Sequence, residues 1–293
     1  MLNHRHLPTF GLLFGAVVWG LIWYPYRQLE LAGISGIQSS LVTYGVAMVL
    51  GAIMFAHHWR DLARVPKESI WIAVAAGWTN LGYVLAVLEG EVMRVLLLFY
   101  LAPLWTLFLA RILLNEKAGR EGLVIMLLSV IGMFVMLWQG NDWPLPQNWA
   151  EWVALSAGVG FAATNVLTRW AGHLTLKAKS LSVWAGVTVL ALVLFISKPH
   201  PVSMAAISVT HWWLMATMGL VLAATTWLVQ FGITHTAANR AAVIFMFELV
   251  VAALSSWLLA GETMTPREWV GGSMIILAAI YSGRIESTAK KPA

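Results

Sequence analysis

The chain has no cysteine among its 293 residues, which excludes disulfides, thiolate metal sites and cysteine nucleophiles. It is also poor in charge. Lys, Arg, Asp and Glu together make up 11% of residues, against roughly 25% in ordinary soluble domains. So few charges cannot cover the surface of a water-soluble globule, but they suffice where most of that surface faces lipid. Hydrophobic residues make up 60% of the chain, and an integral membrane protein is the class that fits. There is no phosphate-binding loop, no zinc-ligand spacing and no nucleophile triad. The eight histidines (His4, His6, His57, His58, His173, His200, His211 and His235) all fall in loops or near the ends of apolar runs. No cofactor, metal site or enzymatic chemistry is expected.

What is present is a series of apolar segments. A bilayer core of about 30 Å takes roughly 20 residues of helix. Ten stretches meet or approach that length: 8–27, 37–56, 69–88, 93–114, 121–139, 149–170, 181–197, 211–233, 239–260 and 268–284. The links between them are mostly short and hold breakers and charges. The first run lacks a small-residue cleavage site, with Trp19, Trp23 and Tyr24 where one would fall, and reads as a retained span rather than a signal peptide.

The net charge of +5 is distributed as a topology signal rather than as a nucleic-acid patch. With the N-terminus inside, ten spans leave fourteen of the eighteen Lys and Arg on the cytoplasmic side. Both termini are therefore expected in the cytoplasm.

One stretch occurs twice. RVLLLFYLAPLWTLFLARILLNE, Arg94 to Glu116, overlies RAAVIFMFELVVAALSSWLLAGE, Arg240 to Glu262, at an offset of 146 without a gap. Arg94 meets Arg240, Phe99 meets Phe245 and Glu116 meets Glu262; upstream, Thr79 falls on Thr225. An offset of 142 places Trp19 on Phe161 and Arg27 on Arg169. Two halves of five spans, 1–142 and 143–293, are expected. Five is odd, so the second half enters the membrane inverted, the build of many secondary transporters with a midplane site between the halves.

Ten spans in a five-plus-five repeat, the Trp19-Gly20 pair, Pro103 in the fourth span, and Glu116 and Glu262 closing the fourth and ninth resemble the EamA family of the drug/metabolite transporter superfamily. The run from Tyr100 to Thr106 also resembles bacterial aromatic amino-acid exporters of that superfamily. One departure is the ninth span, which reads Glu248-Leu249 where such proteins often have proline. The resemblance implies an inner-membrane transporter of small organic metabolites working by alternating access, its cavity lined by spans one, three, four, six, eight and nine.

Candidate site residues follow from depth in the membrane. Glu248 is the sole acidic residue near the middle of a span, where a carboxylate is costly and marks a functional site or a cross-helix tether. It is the expected coupling group, with protons as its partner and facilitated diffusion the open alternative. Trp19, Trp78, Tyr100, Trp105 and Phe161 lie towards mid-span, away from the interfacial belt that accounts for the Trp residues at span ends. Asn80 and Asn165 are the pair expected to hold a substrate carboxylate or amide. Thr79, Thr106, Thr164, Thr225, Thr226 and Gln230 are further polar groups that suit either the cavity or helix contact. Pro103 removes a backbone donor and should kink its helix, freeing a carbonyl. Gly11, Gly15, Ala154, Gly158 and Ala162 read as close helix contacts. The expected partners are a small-molecule substrate and the lipid bilayer, with no nucleic acid.

Overall fold

The computed structural model describes residues 6–58, 66–90, 92–138, 145–197, 202–261 and 265–289. The boundary at 142/143, Glu262 and the side chain of Arg94 lie outside the described residues. Among the described residues the chain is helical, with no strand. The helices are α1 (Leu7–Leu31), α2 (Gly36–Phe55), α3 (Lys67–Glu89), α4 (Val92–Phe99), α5 (Ala102–Leu113) and α6 (Arg120–Leu137). After residue 145 come α7 (Trp149–Trp170), α8 (Leu176–Ser197), α9 (Val209–His235), α10 (Ala238–Phe245), α11 (Phe247–Ala260) and α12 (Pro266–Ala289). Among the described residues, nine helical stretches are long and apolar enough to cross a membrane. The pairs α4–α5 and α10–α11 each make up one of them. The segment expected at 268–284 is helical within α12, which is not one of the nine.

Helix ends follow local chemistry. Ser35 and Gln38 form a capping box that opens α2. Asn148 caps α7, its Oδ1 accepting from Glu151 N–H (3.0 Å) and its Nδ2 donating to Glu151 Oε1 (3.0 Å). Helix α5 ends on Asn115, at φ 53°, and α11 on Gly261, at φ 69°. Both occupy the left-handed conformation that Asn and Gly adopt most readily. They are the same position under the offset of 146.

The packing is interdigitated. Helix α3 lies along α7 and α8, α1 along α9 and α11, α2 along α8 and α9, and α6 along α12. In each pair one helix precedes residue 139 and the other follows residue 144. Small residues permit the close crossings: a Cβ at Gly11 would strike the Leu228 carbonyl, and one at Gly158 the backbone of Phe99. Outward faces carry exposed Val49, Ile53, Phe108, Ile131 and Leu258, the pattern of helices whose surroundings are apolar.

Candidate functional site

Two helix breaks flank the centre. The first separates α4 from α5 at Tyr100 and Leu101, where Leu104 N–H bonds the Leu101 carbonyl at 2.9 Å in place of a regular α-helical bond. Pro103 contributes by having no N–H to offer the Phe99 carbonyl one turn back. The second separates α10 from α11 at Met246, where Leu249 N–H bonds the Met246 carbonyl at 3.1 Å. No proline is needed there. Tyr100 and Met246 are the same position under the offset of 146.

Between the breaks and α1, α3 and α7 lies a cavity of about 490 Å³. Trp19, Tyr83, Phe99 and Phe161 line it, and Phe245 packs against them in one cluster of rings. Trp19 meets Phe161 edge-on at 6.2 Å and Phe245 at 5.4 Å, and Phe161 meets Phe245 at 5.4 Å and Phe99 at 5.7 Å. Tyr83 adds a fifth ring, 5.0 Å from Phe99. Trp19 with Phe161, and Phe99 with Phe245, are the two aromatic pairs that the repeat register relates. Phe99 and Phe245 were not named as site residues from the sequence, although that register pointed to them.

The polar lining comes from both halves: Tyr44, Thr79 and Asn80 from one, and Thr164, Asn165, Thr226, Gln230 and Glu248 from the other. Asn80 Nδ2 donates to the Tyr44 hydroxyl at 3.3 Å, while its Oδ1 has no partner among the described residues. Asn165 Nδ2 and Gln230 Oε1 are likewise buried and unpartnered, a donor and an acceptor at one end of the cavity. Buried polar groups are normally paired, so these are free to take a ligand. Glu248 enters from the first turn of α11, with the Tyr100 side chain beside its carboxyl. Arg27, Glu30 and Gly36 form the mouth.

Gly20 sets the approach of α1 to this site. A Cβ there would lie 2.7 Å from Val251 Cβ and 2.8 Å from the Glu248 carbonyl oxygen. The contact is tied by Trp23 Nε1 donating to Ser255 Oγ (2.8 Å) and Ser255 Oγ donating to the Gly20 carbonyl (3.1 Å).

Of the residues expected at the site, Trp19, Asn80, Phe161, Asn165 and Glu248 line this cavity, and Trp78, Tyr100, Trp105 and Pro103 do not. The α3 face turned to the cavity is Ala76, Thr79, Asn80, Tyr83, Val84 and Val87. Trp78 falls off that face; its indole donates to Ser156 Oγ at 3.1 Å and borders a separate groove between α3 and α8. Tyr100 stands behind Glu248, packed edge-on against Phe99 at 5.3 Å. Pro103 is buried in the first turn of α5, and Trp105 is half-buried two residues further along, its indole N–H without a partner among the described residues. Thr106 turns its hydroxyl back to the Ala102 carbonyl at 2.9 Å, a bond within its own helix. Among the described residues no group of three acidic, histidine or cysteine side chains could hold a metal ion.

Residues 148–284 match the EamA-like transporter family, and the family resemblance read from the sequence is borne out. The chain is 26% identical over 290 residues to Protein RarD of Streptomyces exfoliatus, covering 92% of this chain and 87% of that one. It is 25% identical over 226 residues to an uncharacterized transporter of Archaeoglobus fulgidus, covering 77% and 79%. A crystal structure of a protein 12% identical superposes with a TM-score of 0.80 over 97% of this chain and 99% of that one. At that identity the likeness is one of fold.

Proposed function

We propose that this EamA-like membrane transporter exports small organic metabolites from the cytoplasm by alternating access. Amphipathic amino acids, aromatic ones among them, are the first substrate class, and drugs of similar size and polarity the second. The chain would sit in the inner membrane as ten spans, in two inverted five-helix repeats with both termini cytoplasmic. The observation that carries this reading is the pair of helix breaks at Tyr100 and Met246, equivalent under the repeat and flanking one cavity between the halves. Interrupted helices in corresponding positions of two halves are the best pointer to a transporter's site.

Two further features support the repeat. Exchanging the halves carries the α1–α9 pairing onto α7–α3, α2–α9 onto α8–α3, and α1–α11 onto α7–α5, and all six are substantial contacts. Four of the five central rings are repeat mates. The substrate class rests on the lining: an aromatic wall takes an apolar body, and an unpartnered donor beside unpartnered acceptors takes a carboxylate and an ammonium. Glu248 is the candidate proton-coupling group.

The test is efflux from proteoliposomes, screened over amino acids with and without a pH gradient. Outward movement of a zwitterionic amino acid is the expected result. Movement of no solute would point to a membrane scaffold, and chemical conversion to an intramembrane enzyme.

A further inference from the structure

The cavity opens at Arg27, Glu30 and Gly36 and ends at Asn165 on α7 and at Gln230 and Ile233 on α9. One helical turn beyond Asn165 and Gln230, on the same faces, come Arg169 and Thr234. There the passage is shut. Arg169 pairs through its guanidinium with the Glu116 carboxylate, the side chains only 27% and 20% exposed. Arg169 Nη1 also donates to the Thr234 carbonyl at 3.4 Å, and Glu116 Oε2 accepts from Ala238 N–H, the first residue of α10, at 3.1 Å. Lys179, at 0% exposure, donates Nζ to Thr234 Oγ1 at 2.9 Å.

The charges suit the helix ends they meet. Two cations face the C-terminus of α9, and one anion faces the N-terminus of α10. The ends of α5, α7 and α8 thus close over the α9–α10 turn. Glu116 is aimed by its own helix end: left-handed Asn115 lets Glu116 N–H bond the Ala110 carbonyl at 3.2 Å.

Lys179 does not belong to a simple clasp. It is fully buried, its ammonium meets a hydroxyl, and no carboxylate pairs with it among the described residues. Such a cation is costly to keep from water, so its desolvation favours the open arrangement while the Glu116–Arg169 pair favours the closed one.

We propose that Glu116, Arg169 and Lys179 form a balanced latch, Glu116 with Arg169 holding this face shut and buried Lys179 lowering the barrier to its opening. The proposal rests on the alternating-access reading above. It makes two substitutions act in opposite directions, which a merely structural cluster would not do.

Because the chain has no cysteine, one reporter thiol can be placed at the far end of the cavity as Thr164→Cys. A membrane-impermeant maleimide is then applied to each face of sealed vesicles in turn, and the ratio of the two labelling rates is read. Glu116→Gln should raise the ratio towards the face where α1 begins by about tenfold, the order expected for a largely buried ion pair. Lys179→Met, which keeps the length of the side chain and removes the charge, should lower that ratio. Arg169→Gln repeats the first arm should Glu116→Gln fail to fold. Ratios that move in the same direction for Glu116→Gln and Lys179→Met, or that do not move, overturn the latch. Solute movement with unresponsive labelling ratios would retain the transporter and reject the latch; responsive ratios with no solute moved would do the reverse.

Discussion

Replacing Gly20 by alanine puts one methyl group where α1 crosses α11. The added carbon would stand 2.7 Å from Val251 Cβ and 2.8 Å from the Glu248 carbonyl oxygen. Carbon contacts are ordinarily about 3.5–4.0 Å, so the helices must part by roughly 0.7–1 Å. The obstructing oxygen is backbone and cannot rotate aside. Overpacking of this kind costs about 1–3 kcal/mol. The same movement stretches the bonds from Trp23 to Ser255 and from Ser255 to Gly20, now 2.8 and 3.1 Å. Such cross-helix bonds contribute about 0.6 kcal/mol each in a membrane. The loss should therefore reach about 2–4 kcal/mol, visible as a lower melting temperature in detergent. Because α11 carries Glu248, counterflow should fall as well. Gly45→Ala is the control: nothing lies within 4 Å of a Cβ there, and that variant should melt no lower than the parent. A Gly20→Leu protein that melts and transports like the parent would refute the reasoning, because it would mean that α1 and α11 do not meet at this contact.

Three further expectations can be checked in the same preparations. Glu248→Gln keeps size and hydrogen bonding but cannot titrate; it should support counterflow while losing accumulation driven by a pH gradient, and normal pH-driven accumulation would end the coupling role. Trp19→Ala and Phe161→Ala each remove a ring from the central cluster and should raise KM for an aromatic substrate several-fold, about 1 kcal/mol per lost ring contact, with a smaller change for an aliphatic one of the same charge. A reporter fused after residue 293 should be cytoplasmic, and an external one would overturn both the ten-span count and the inversion of the halves.

Helix positions were legible in the sequence because length and hydropathy decide them. The first span, expected at 8–27, is helical over Leu7–Leu31, and the sixth, expected at 149–170, is Trp149–Trp170. Which way a residue faces was far less legible. The helices are apolar nearly all round, so composition carries little signal for the face that turns inward. Asn80 and Trp78 show the result: two residues apart on α3, they border different spaces. Lys179 was missed for another reason. Hydropathy starts the seventh span at 181, whereas α8 begins at Leu176 and draws the lysine into the packed interior. The signal that did carry inward was the register of the repeat, which pairs Phe99 with Phe245, Tyr100 with Met246 and Asn115 with Gly261.

That register also accounts for what the ninth span does without a proline. Pro103 cannot donate to the Phe99 carbonyl, and Leu249 N–H bonds the Met246 carbonyl rather than that of Phe245. By different chemistry both halves free the carbonyl of the same repeat position from its regular helical bond. Unbonded backbone is tolerated at membrane depth where it is buried in protein or lines a polar space, and each of these carbonyls belongs to a residue whose ring stands in the central cluster. The Phe99 carbonyl is screened by α7, since any side chain larger than hydrogen at Gly158 would collide with it. A helix that needed only to span the bilayer would gain nothing from such a break. Two breaks at one register, with the rings of Phe99 and Phe245 both packed on Phe161 and a carboxylate two residues past the second, are what the proposed cavity for a solute between the halves would require.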